Sequence, residues 1–167
     1  MQTVIMVLGI GVFAAIAYGD VRSRRIANEL SIAIAGLGLA RIALAGEWSA
    51  AAHTLAAAAV VFAVALAMFW RGWLGGGDAK LLPAAALLVG YHDLLGFLVV
   101  MSLCCGVIAL AVLTASKLGG PRRHLSPSAV TAAAAPPAPP ARPSVPYGVA
   151  IALAGVLILV LQSSVPR

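Results

Sequence analysis

The chain has 167 residues, 62% of them hydrophobic and 10% charged, with a formal charge of +6 and a mean hydropathy of +1.04. A soluble domain of this size cannot hide that much apolar surface, so the bilayer is the solvent the composition calls for. The surplus of Lys and Arg falls between apolar runs and reads as a topology signal, not as a nucleic-acid surface.

A helix needs about 20 residues to cross a hydrocarbon core of ~30 Å. Six apolar runs come near that length, over Thr3–Tyr18, Leu30–Ala45, Ala51–Trp70, Ala79–Val89, Leu94–Ala115 and Tyr147–Leu161. They are continuous, not alternating, which predicts an all-α, six-helix polytopic membrane protein instead of a barrel. The first run, "MQTVIMVLGIGVF", has no basic stretch before it. It therefore reads as a retained helix, not a cleavable signal. The fourth run is the shortest, fenced by Asp78 and Asp93, and reaches back to Trp73 if the glycines lie among headgroups. The fifth holds Cys104 and Cys105. Helix neighbours point about 100° apart, so the two predict small packing residues, not a metal pair or a disulfide. Residues 116–145 are rich in Pro, Ala and Ser and read as a cytoplasmic linker within a single membrane domain, 1–167.

Orientation follows from the loops. Those after helices one, three and five hold nine of the eleven basic residues: Arg22, Arg24, Arg25, Arg71, Lys80, Lys117, Arg122, Arg123 and Arg142. The positive-inside rule puts these loops in the cytoplasm and both termini outside. Arg41 is expected to snorkel at the outer interface.

Carboxylates beside membrane helices are costly and therefore informative. Of five acids, Glu47 and Asp93 fall in outer loops, and Glu29 starts helix two. Asp20 closes helix one in "AYGDVRSRRIANEL", and Asp78 opens helix four in "GWLGGGDAKLL". Two spans separate them, so both lie where helix meets cytoplasm. Taken singly, Asp20 pairs with Arg22 or Arg24, and Asp78 caps a helix. Taken together, two carboxylates at one depth can share a proton, one activating water while the other polarises a peptide carbonyl. That is aspartic proteolysis, with no metal and no cofactor. Gly75, Gly76 and Gly77 clear side chains from beside the acid. Two roles are open to Lys80, holding a carboxylate ionised or meeting lipid phosphate. His53, His92 and His124 share no depth with the aspartates and read as structural.

"GGGDAKLL" matches G-x-G-D followed by x-K and resembles the second-aspartate motif of type IV prepilin peptidases. Asp20, Arg22, Ile26 and Asn28 are similar to that family's D-x-R-x-x-x-I-P-N pattern, with Ala27 where proline is usual. "VPYGVAIALAG" resembles the final-helix motif. The resemblance implies an endopeptidase that removes leader peptides from prepilins or pilin-like precursors at the cytoplasmic face of the bacterial inner membrane. Asp20 and Asp78 would be its catalytic pair, with Arg22, Asn28, Lys80 and the three glycines shaping the site. The sequence has no C-x-x-C pair, so the methyltransferase activity and zinc of longer members are not expected. The short form resembles the peptidases of Flp/Tad pilus systems. The rival reading is a non-enzymatic carrier or a degenerate pilus-assembly subunit. A carrier, however, places ionisable groups near mid-membrane.

Overall fold

The computed structural model describes residues 2–23, 27–118 and 147–164. Six helices account for them: α1 (Gln2–Ser23), α2 (Asn28–Ala45), α3 (Trp48–Trp70), α4 (Gly76–Val89), α5 (Leu94–Leu118) and α6 (Tyr147–Ser164). No strand occurs among the described residues. Helix ends move outward from the apolar runs because a helix continues into its polar flanks. Asp20 thus lies inside α1, not at its close, and α5 takes in residues 116–118. Residues 119–145, the bulk of the expected linker, and Arg24, Arg25 and Ile26 lie outside the described residues.

Every helix except α4 is long and apolar enough to cross a membrane. The 14 residues of α4 extend only about 21 Å, short of the ~30 Å core. What α4 lacks in length it makes up in enclosure. From Ala79 to Val89 most of its side chains are buried, and it packs against α2, α3 and α6. α1 lies on α6 and α2, and α5 leans on α6.

Without a hydrophobic drive between helices in lipid, close packing depends on small residues. A Cβ on Gly38 of α2 would sit 2.8 Å from the Leu87 backbone of α4. One on Gly155 of α6 would sit 2.5 Å from the ring of Phe13 in α1, which is fully buried. One on Gly9 would sit 2.9 Å from Leu88. A looser contact joins α5 to α6, where a Gly96 Cβ would lie 3.7 Å from Ile158.

These contacts fix relative levels. Asp20 is eleven residues beyond Gly9, and Asp78 is ten before Leu88 in the antiparallel α4. At ~1.5 Å per residue both lie about 15–16 Å from the Gly9–Leu88 contact, toward the same end of the bundle. Cys105 lies nine residues after Gly96 and Val149 nine before Ile158, so they share a level too. Beyond Cys105, α5 continues thirteen residues to Leu118, about 20 Å along its axis.

Candidate active site

The carboxylate end is built from four helices. Asp20, in the last two turns of α1, is 6% exposed. Its Oδ2 accepts a hydrogen bond of 3.1 Å from the Val149 backbone N–H. Val149 is the third residue of α6, so its N–H is one of the donors a helix start leaves without an internal partner. The α6 N-terminus therefore orients Asp20. Arg22 does not: it is exposed, and its Nη1 donates to Tyr18 Oη at 3.1 Å. The simple ion-pair reading of Asp20 with Arg22 is thereby disfavoured.

Asp78 stands third in α4, where an acid suits the positive end of the helix dipole. It lies outside the five membrane-spanning helices. Burial raises its pKa from 3.8 to about 6, and the charge of Asp20 adds to the rise. The two carboxylates, 58 positions apart in sequence, are thus electrostatic neighbours. The charge of Asp20 disfavours ionisation of Asp78, the condition for sharing a proton. Cys105 of α5 also lies within electrostatic reach of Asp78.

The glycines before Asp78 have distinct surroundings. Gly75 is the residue before α4, and no side chain caps the helix there. A Cβ on Gly75 would lie 3.0 Å from Asp78 Oδ2, so the missing side chain leaves room for the carboxylate itself. Gly76 sits against the Phe69 ring, 3.4 Å from where its Cβ would be. Gly77 is the second residue of α4 and half-buried. Lys80 points away from the pair, and its Nζ donates to Asn28 Oδ1 at 3.2 Å. Of the residues singled out in the sequence, the structure gathers Asp20, Asp78 and the glycines. It joins Lys80 to Asn28 in a separate contact and leaves Arg22 apart.

The opposite end is polar as well, but closed. Arg41 of α2 turns inward instead of snorkelling. Its Nη1 donates to the Leu88 carbonyl and, at 3.0 Å, to the Val89 carbonyl. Gln162 Nε2 donates to Val89 O at 2.9 Å and to Asp93 Oδ2 at 2.7 Å. His53 Nδ1 donates to the Ser49 carbonyl of its own helix at 2.6 Å, and its ring lies tilted on Tyr91, which lies tilted on His92. A cavity of about 130 Å³ lies among Arg41, Glu47, Tyr91, His92 and Asp93, at the end away from Asp20 and Asp78. No cluster among the described residues could hold a metal ion.

Sequence reasoning passed over one contributor. Val149 acts through a backbone N–H, which leaves no residue signature, although the "VPYGVAIALAG" stretch marked the place.

The fold and the carboxylate pair define a multi-pass helical membrane protein with a two-aspartate site. The sequence model of the type IV leader peptidase family matches residues 7–110, well over half of the chain and inclusive of both aspartates. The chain belongs to the type IV leader peptidase family. No curated protein and no solved structure matches it. Membership carries a leader-peptidase type of function, with pilin-like precursors as the general class of substrate.

Proposed function

We propose that the chain is an aspartic endopeptidase that removes leader peptides from type IV prepilins or pilin-like proteins. The observation that carries this reading is the pairing of Asp20 and Asp78 at one level, close enough that the charge of one raises the pKa of the other. Asp78, whose pKa is raised by burial to about 6, is the acid and Asp20 the base. Asp20 takes a proton from water as the water oxygen bonds to the scissile carbonyl carbon. Asp78 gives its proton to the carbonyl oxygen. The tetrahedral intermediate then collapses, the C–N bond breaks, and the leaving amine takes up a proton from the pair.

The distribution of basic residues supports a cytoplasmic site in a bacterial inner membrane. A carrier or an inactive assembly subunit would not need both acids. Coexpression with an Flp-type prepilin tests the reading. Wild type shifts the precursor to a smaller band, while Asp20→Asn and Asp78→Asn each abolish the shift yet remain in the membrane. Cleavage retained by either variant would overturn the mechanism, and pilus assembly without cleavage by wild type would favour the assembly subunit.

A further inference from the structure

Beside the carboxylate site, and separate from it, a groove of about 460 Å³ opens between α2 and α4. Asn28 and Lys80 line its end nearest the aspartates. Along its length stand Ile32, Ala35, Pro83 and Leu87, with Ser31 the one other polar side chain. Ile32 is 69% exposed, so the groove opens on the flank of the bundle. In a membrane that flank faces acyl chains.

Size limits the occupant. The groove runs from Asn28 to Ala35 on α2 and from Lys80 to Leu87 on α4, about 10 Å along each helix. That length takes part of one extended hydrocarbon chain laid between the two helices. Charge limits it further. Among the described residues Lys80 has a neutral partner, the Asn28 amide oxygen, and no carboxylate. Its ammonium keeps further N–H donors, and Asn28 Nδ2 adds another. A positive, donor-rich head above an apolar trough is complementary to a phosphate followed by an acyl chain.

We infer that the α2–α4 groove is a binding site for an anionic phospholipid, its phosphate on Lys80 and Asn28 and one acyl chain along Ala35, Pro83 and Leu87. The lipid would fill the flank of α4 behind Asp78 and steady a helix too short to span the bilayer alone. Basic residues at a leaflet surface attract anionic lipid generally. What distinguishes this site is the trough below the charge.

The test needs no cleavage, so its failure leaves the peptidase reading untouched. The purified full-length protein in detergent is titrated with phosphatidylglycerol and with phosphatidylcholine of the same chains, and bound lipid is read by native mass spectrometry. Wild type retains roughly fivefold more phosphatidylglycerol than phosphatidylcholine. Lys80→Gln brings the ratio to about one and Lys80→Arg restores it. Arg71→Gln, at another exposed cation, leaves it unchanged. Ala35→Phe, which fills the trough, lowers retention of both lipids. Equal retention by wild type, an unchanged ratio in Lys80→Gln, or unaltered retention in Ala35→Phe would each overturn the site. So would a Lys80-dependent complex with a prepilin helix in place of lipid. Lys80 is exposed, so its variants report even if Ala35→Phe fails to fold.

Discussion

The two ends of α4 are both helix termini with unsatisfied backbone groups, and they are treated in opposite ways. At its end the Leu88 and Val89 carbonyls are taken up by Arg41 and Gln162, with Asp93 bound to the same amide. At its start the cap position is Gly75, which has no side chain to offer, and Asp78 lies within reach of the charge of a second carboxylate. One end uses its polar groups to close the structure. The other leaves acids next to each other, at a cost in stability, which is the arrangement chemistry needs. Stability and reactivity are thus separated along about 20 Å of one helix.

That separation can be broken by mutation. Beyond the aspartates themselves, the largest expected effect on stability lies in the packing that holds the closed half together. Gly155→Ala drives a Cβ into the buried Phe13 ring, and Gly38→Ala drives one into the Leu87 backbone. Each should destabilise by about 1–3 kcal/mol, lowering Tm in detergent by roughly 2–10 °C. Gly36→Ala meets nothing within 4 Å and is the matched control. Next, Arg41→Ala strands the Leu88 carbonyl and leaves Val89 O to Gln162 alone, which should cost about 1–3 kcal/mol, while cleavage per folded molecule stays near wild type. Equal losses of stability and turnover in Arg41→Ala would show that the ends are not separable.

The carboxylate end makes the reverse prediction. Because the Asp78 pKa is raised in the folded protein, the folded state binds the proton more tightly than the unfolded chain. The associated stability is present below about pH 4 and is lost as pH rises through about 6. Asp78→Asn removes that penalty, so its Tm should exceed wild type by about 2–4 °C at pH 8 and match it near pH 4. On the proposed mechanism the same group is the acid: kcat/KM for a leader peptide should fall as pH rises, with a midpoint near 6, since that acid must carry its proton. An alkaline limb that stays put in Asp20→Glu but moves when the Asp78 surroundings change would assign the limb to Asp78. The smallest effect is at Gly75→Ala. Its Cβ would press on Asp78 Oδ2 at 3.0 Å, and a shift of the carboxylate should lower kcat about tenfold with little change in Tm.

The sequence made the helices legible because hydropathy is a property of each segment by itself. The runs found α2, α3, α5 and α6 to within a few residues at most ends, and parity alone put Asp20 and Asp78 at one end of the bundle. What stayed hidden is what depends on a second segment. Arg41 reads as a charge at a helix end seeking water, yet it finds the carbonyls of α4, which only the fold supplies. The room Gly75 leaves beside the acid is taken up by the carboxylate itself, three residues on, a contact that only the fold supplies. Val149 was invisible because its contribution is an amide every residue possesses. The brevity of α4 was legible, but not that its neighbours would wrap it.

The overshoot of α5 has a covalent consequence. Leu118 stands at most about 20 Å farther along the bundle than the level at which α6 begins. Extended chain covers that distance in six or seven residues, while twenty-eight join Leu118 to Tyr147. The connection is therefore about four times longer than the distance between the helix ends requires. Because closure entropy changes only slowly with length, the tether between α5 and α6 is where insertions, deletions or a fused reporter would disturb the helices least.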